Sequence, residues 1–394
     1  MEIELWWLLA LPLFFALGWL AARVDIRQLV HESRTLPRTW LNGLSYLLND
    51  KVDKAVDAFA EAARMDPQTV ELHFALGSLF RRRGETERAV RTHQQLVDRD
   101  DISEAHRLQA LNALGQDFLK AGLLDRAEAV FLQLRDRAGN EQSAPALRAL
   151  LEIYQQEKDW PKAIEIAKAL PGHESLVLRT EVANFYCELA DDALANSRLG
   201  EAETQLETAF AVNPRSVRAS ILRGDVLLAQ DRVEDALAAW KRIENQDPEY
   251  IALVGERVMG AYRRLQRQDE GLQLLRAWLG RHASLDLLDE LFSAEMEQHG
   301  PQAAYELVRE ELRRNPTLLG LGKLLDAAVL IVSPEQRGDI ELIKQLIHNH
   351  TRKVARYRCT DCGFKARQFH WRCPACGSWE SYPPRRTEEF DLTP

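Results

Sequence analysis

The sequence predicts an all-α protein: paired helices repeating every 34 residues, one apolar helix ahead of them and a small cysteine ribbon behind them. Three observations carry that expectation. Leu5–Ala22 is an 18-residue run without a charged side chain, small and aromatic residues recur at a fixed step through the middle of the chain, and four of the five cysteines fall within 18 residues near its end. The composition agrees. With 46% hydrophobic and 28% charged residues the chain can bury a core, and strong helix formers outnumber β-branched runs.

At about 1.5 Å per residue the apolar run reaches roughly 27 Å, close to the hydrocarbon thickness of a bilayer. Trp6, Trp7 and Trp19 lie near its two ends, where amphipathic rings favour the membrane interface. A cleaved signal peptide needs a basic leading segment, whereas Glu2 and Glu4 stand there. Arg23, Arg27, Arg34 and Arg38 follow the run, so the positive-inside rule places residues 23–394 in the cytoplasm. Residues 1–22 are therefore expected to form a transmembrane anchor and residues 23–35 a juxtamembrane linker.

The repeat is visible by shifting the sequence on itself. A step of 34 residues carries Gly43 to Gly77, Tyr46 to Phe80, Ala55 to Ala89, Ala202 to Ala236 and Pro214 to Pro248. A period of 34 with a small residue, an aromatic, an alanine and a closing proline is the tetratricopeptide pattern, which stacks helix pairs into a superhelix. Gly43, Gly77, Gly115 and Gly224 let the first helix of a pair approach its partner, and Ala55, Ala89, Ala127, Ala163, Ala202 and Ala236 answer from the second. Phe59, Phe131, Leu206 and Trp240 fill the space between layers, and Pro67, Pro214 and Pro248 stop the second helix. Six units are expected near 36–69, 70–103, 108–141, 144–177, 183–216 and 217–250, with a four-residue insertion after the second. Beyond 250 the pattern thins, with Gly271 where an alanine is expected. Residues 285–318 read as one more pair, and 319–350 as a terminal pair broken at Ser333-Pro334. The array thus covers 36–350. On the common geometry Arg81, Asn112, Gln116 and Lys120 point into the groove as a polar, partly basic line that suits a carboxylate or a peptide backbone.

Cys187, inside Asn184-Phe-Tyr-Cys187-Glu-Leu, is expected to be a buried structural thiol. The other four form two Cys-x-x-Cys-Gly turns, Cys359/Cys362-Gly363 and Cys373/Cys376-Gly377. Clustered pairs of this kind point to metal ligation in a reducing compartment rather than to disulfides. Each glycine permits the positive φ that turns amides toward sulfur, and four thiolates complete a tetrahedron, which leaves His370 as a loop or packing residue. Such a site suits zinc or iron. The knuckles resemble rubredoxin, but only ten residues separate them, too few to bury a redox centre, so a structural role is expected. Residues 351–382 are assigned to this ribbon and 383–394 to a tail. A ribbon so small needs its metal to fold. Phe364, Phe369, Trp371, Trp379 and Tyr382 exceed what it can bury, so some should pack on the repeats or on a partner. Residues 352–386 hold nine Lys and Arg against Asp361 and Glu380, within a chain of net charge −9. That patch suits an anionic partner or acidic repeats of the same chain. The anchor and the acidic array argue against nucleic acid.

Anchor, array and knuckle in this order resemble the lipopolysaccharide assembly protein B family of Gram-negative bacteria. Leu76-Gly-Ser-Leu-Phe-Arg-Arg-Arg-Gly84-Glu, Asn184-Phe-Tyr-Cys-Glu-Leu-Ala190 and Tyr357-Arg-Cys-Thr-Asp-Cys-Gly-Phe364 are the most telling segments. The resemblance implies a single-pass inner-membrane adaptor that brings the LpxC deacetylase to the membrane AAA+ protease FtsH and so balances lipopolysaccharide synthesis. It also implies that the knuckle lies against the repeats and that Cys359, Cys362, Cys373 and Cys376 are its four ligands. No phosphate-binding glycine loop, His-Glu-x-x-His or nucleophile elbow occurs, so neither an enzyme nor a small-molecule substrate is expected. The alternatives are a membrane-tethered electron carrier and a general peptide-binding co-chaperone.

Overall fold

The computed structural model describes residues 38–65, 68–137 and 143–388. The expected anchor and linker lie outside these residues. Among the described residues no helix is long and apolar enough to cross a membrane.

The described chain falls into two compact units, one ending at Asp159 and including Ala169–Pro171, the other comprising Trp160–Lys168 and the chain from Gly172 onward. The first unit holds α1 (Arg38–Leu48), α2 (Val52–Met65), α3 (Val70–Arg83), α4 (Thr86–Val97), α5 (Glu104–Lys120), α6 (Leu124–Arg137) and α7 (Ala144–Glu157). Short turns fold α1 on α2, α3 on α4 and α5 on α6. The four residues inserted after the second repeat lengthen the start of α5, which Ser103 caps by accepting from the His106 amide at 3.2 Å.

The second unit begins with α8 (Trp160–Ala169), followed by α9 (Leu176–Ala195), α10 (Leu199–Val212), α11 (Val217–Ala229), α12 (Val233–Lys241) and the short α13 (Ile243–Gln246). A 3-10 turn at Pro248–Val254 leads to α14 (Gly255–Arg264), α15 (Gln268–Arg281), α16 (Leu285–His299), α17 (Pro301–Arg314), α18 (Leu318–Ile331) and α19 (Pro334–Val354). Ser175, Ser216, Ser284 and Thr317 cap α9, α11, α16 and α18 through side-chain oxygens. The thin stretch beyond 250 is an ordinary helix pair. Its Gly271 replaces alanine because a Cβ there would lie 2.9 Å from the Met259 sulfur and 3.0 Å from the Tyr262 ring.

One packing rule runs through both units. Sixteen residues after each interface glycine stands the ring that fills its gap: Phe59 against Gly43, Phe131 against Gly115 and Trp240 against Gly224. A Cβ on Gly224 would lie 2.1 Å from Trp240 Nε1, which donates to the Ile221 carbonyl at 3.1 Å. The alanines expected at the facing positions are all fully buried.

α19 runs into β1 (Ala355–Arg358), flanked antiparallel by β2 (Lys365–Ala366) and β3 (Thr387–Glu388) in the order β2-β1-β3. Tyr357 pairs with Ala366 and Ala355 with Glu388. β3 lies in the stretch read from sequence as tail, where two polar residues carry no alternation to mark a strand.

Overpacking should therefore separate two glycines that look alike in the sequence. Gly224→Ala is expected to cost about 1–3 kcal/mol of stability despite alanine's better helix propensity. Gly260→Ala, where a Cβ meets nothing within 4 Å, is expected to add up to about 1 kcal/mol. Denaturant midpoints of the two variants, measured side by side, check the opposite signs.

Candidate metal centre

β1 delivers Cys359, and two tight turns present the rest of the site. Gly363 (φ 76°) and Gly377 (φ 78°) lie in the left-handed region and donate backwards to the Cys359 and Cys373 carbonyls at 3.0 and 2.9 Å. The loops are closed by Cys359 N–H to the Phe364 carbonyl (2.9 Å) and Cys373 N–H to the Ser378 carbonyl (2.8 Å). These bonds hold two sulfurs per turn on one side, so all four sulfurs lie within 4.8 Å of one another.

The separations carry the chemistry. Cys359 Sγ lies 3.8 Å from Cys376 Sγ, and Cys362 Sγ lies 3.7 Å from Cys373 Sγ. Those are too long for a disulfide. They match the edge of a sulfur tetrahedron around one ion, about 3.8 Å for metal–sulfur bonds of about 2.3 Å. Charge makes the same point. Burial pushes the Cys359 thiol up, but the nearby Ser381 hydroxyl and the Cys362 and Asp361 amides outweigh it and bring it down to about 6. Ser378 likewise lowers Cys376, whereas Cys362 and Cys373 are raised. Four thiolates this close repel one another, and a cation bound by Cys359, Cys362, Cys373 and Cys376 offsets that repulsion and ties the two turns together. Cys359 and Cys373 are buried; Cys362 and Cys376 face outward. His370 packs its ring edge-on to Tyr382, 5.8 Å between centroids.

The surplus aromatics dock the ribbon on helices of its own unit. Trp371 stacks on Tyr250 at 5.4 Å and 4°, and Phe369 meets Tyr250 edge-on. Trp379 meets Trp160 and Phe185 edge-on at 6.0 and 5.8 Å. The guanidinium of Arg218, buried and ion-paired to Glu188 at 2.8 Å, lies 5.6 Å from the Trp371 ring and 5.8 Å from the Trp379 ring. Asn184 donates to Glu380 at 2.8 Å; burial raises the Glu380 carboxyl while Asn184 and Arg218 oppose the shift. At the far end the Tyr357 hydroxyl donates to Asp286 at 2.8 Å and Arg386 pairs with the same carboxylate at 2.7 Å. Tyr382 fills the ribbon itself, donating to the Phe364 carbonyl, and Phe364 remains exposed.

In the first unit the expected groove residues do not stand as one free line. Arg81 is held by Asp117 at 2.7 Å and by the Ala113 carbonyl at 3.0 Å. Asn112, Gln116 and Lys120 follow one another at four-residue steps along α5, half-buried to exposed, with the Asn112 Oδ1 buried and unbonded among the described residues. The sequence reading did not mark His93. It occupies the place of the filling ring opposite Gly77, fully buried, with Nδ1 2.5 Å from Asp117 Oδ2. The sixteen-residue offset from glycine would have found it. Arg218, Trp160 and Tyr250 also went unmarked, since nothing local identifies a docking partner more than a hundred residues away.

Removing the docking ring should leave the metal in place. Trp379→Ala is expected to loosen the ribbon from the helices by about 2 kcal/mol. Amides of residues 355–388 should then exchange roughly thirtyfold faster at unchanged metal content, read by hydrogen exchange and metal analysis. Cys187 is fully buried and its thiol is pushed up to about 12, chiefly by that burial. At pH 8 iodoacetamide is therefore expected to spare Cys187 until the protein is unfolded, as peptide mass mapping would reveal.

Comparison with known proteins agrees with both parts. The tetratricopeptide repeat family matches residues 41–105, 112–173 and 187–250, and the rubredoxin metal binding domain matches residues 357–383. Lipopolysaccharide assembly protein B of Escherichia coli (strain K12) is 35% identical over 390 residues, covering 98% of each chain. The Haemophilus influenzae protein of the same name is 31% identical over 403 residues, covering 99% of this chain and all of its own. Helix pairs, knuckle and whole-length similarity together place this chain in the lipopolysaccharide assembly protein B family.

Proposed function

We propose that this chain is a non-enzymatic adaptor of lipopolysaccharide synthesis, anchored in the inner membrane by residues 1–22 with its bulk in the cytoplasm. It presents the LpxC deacetylase to the membrane protease FtsH, so that turnover of the deacetylase sets the supply of lipid A. The observation that carries the reading is whole-length similarity to relatives named for lipopolysaccharide assembly. Helix-pair arrays bind peptides and protein surfaces on their inner face. We assign client contact to the face of α5 that carries Asn112, Gln116 and Lys120, beside Arg81, which Asp117 holds. The metal, zinc or iron, holds the knuckle in its docked form. One observation favours an electron carrier instead: two ligand sulfurs face outward. A red protein that bleaches on reduction would support that rival, whereas the structural role predicts no functional dependence on the metal's redox state.

In cells whose translation has been stopped, loss of this protein is expected to slow the decay of LpxC several-fold; unchanged decay refutes the adaptor reading. Deleting residues 1–22 should leave LpxC binding intact while its turnover stops. Equal turnover with and without the anchor, by immunoblot time course, would refute the anchoring role.

A further inference from the structure

The helix pairs of the second unit end on α18 and α19, whose outer face is open among the described residues. α18 reads Leu-Leu-Gly-Leu-Gly-Lys-Leu-Leu-Asp-Ala-Ala-Val-Leu-Ile, apolar on all sides, yet only Gly320, Ala327 and Ala328 are buried. A helix of this composition normally lies inside a protein. α19 turns one stripe inward, Ile340, Lys344, Ile347 and Thr351, spaced by four, three and four residues. Leu342 and Leu346, one turn apart on the opposite side, are 58% and 62% exposed, and Ile343 beside them is 48% exposed. Leu330 and Ile331 are also exposed where α18 ends. In a stacked array each pair is covered by the next, and a terminal pair carries a polar outer face to stay soluble. Here the terminal face is apolar, which marks it as an interface.

We propose that a second copy of this chain covers that face, the two α19 helices lying antiparallel about a twofold axis with Leu342 of one against Leu346 of the other. Such a contact is self-complementary, because the same patch serves both copies. The order of charges along α19 selects both the partner and its direction. Glu335, Asp339 and Glu341 stand in its first half, opposed only by Arg337, whereas Arg352 and Lys353 stand near its end with no acid after Glu341. Lys344, between them, is already held by Asp326 at 2.8 Å. Antiparallel copies set the acidic half of each helix beside the basic half of the other and oppose the two helix dipoles; parallel copies would set like charges together. This surface differs from the client face of α5, and the inference goes beyond the adaptor reading without resting on it.

The test uses the full-length chain in detergent. Light scattering that separates protein mass from detergent mass should give two chains per particle. Leu346→Glu should raise the dissociation constant at least roughly tenfold, the effect of exposing one leucine, while circular dichroism and metal content stay unchanged. Should that variant fail to fold, Leu346→Ser serves with the same expectation. The photoreactive p-benzoylphenylalanine in place of Asp339, in a mixture of isotopically light and heavy chains, reads the direction. Antiparallel helices should yield light–heavy crosslinks that mass spectrometry maps to residues 346–353. A single-chain mass, a dimer indifferent to Leu346, crosslinks confined to one chain, or light–heavy crosslinks at residues 336–342 would each overturn the proposal.

Discussion

The ribbon of this protein depends on a buried guanidinium. Arg218 reaches from α11 to within cation–π distance of both Trp371 and Trp379, and its charge is offset by Glu188. A charge removed from water is costly unless it is paired, and aromatic faces lower that cost further. Two knuckles and three very short strands bury too little apolar surface to fold alone. Their order would come from two sources, a cation held by Cys359, Cys362, Cys373 and Cys376 and the helices that receive the tryptophans. Neither source replaces the other: an ion on the four sulfurs would fix the inside of the ribbon, whereas Trp160, Phe185 and Tyr250 fix where it sits.

The helix pairs obey a simpler constraint. Adjacent helices come close because one supplies glycine and the other a flat ring sixteen positions later. The exception is informative. At His93 the ring is polar: its Nδ1 meets Asp117 from the next pair, which also receives Arg81 from the preceding helix, while its buried Nε2 has no hydrogen-bond partner among the described residues. Buried polar networks are stabilising only when their members are bonded, and they specify geometry more sharply than apolar contacts do. Here Asp117 ties α3, α4 and α5 to one another across a repeat boundary.

Membership in the lipopolysaccharide assembly protein B family gives these details a setting. The ribbon belongs to the same compact unit as the helices it touches. Metal loading therefore bears on the surface those helices present, because an unfolded ribbon would uncover Arg218, Phe185 and Tyr250.

By itself the sequence determined the periodic part of this protein. The 34-residue step placed the helix pairs, the glycines and the fully buried alanines, and two Cys-x-x-Cys-Gly turns named four ligands whose sulfurs meet in space. These are local or regularly repeated signals, in which spacing along the chain translates directly into spacing on a helix or within a turn. It also showed that the ribbon had more aromatic surface than it could bury, but not where that surface went. Only the tertiary structure decided that Trp379 rests on Trp160 and Phe185, that Arg81 is tied to Asp117, and that Thr387–Glu388 completes the ribbon. Those pairings join residues far apart in the chain, and a side chain's pairing potential does not say which of many distant partners it meets.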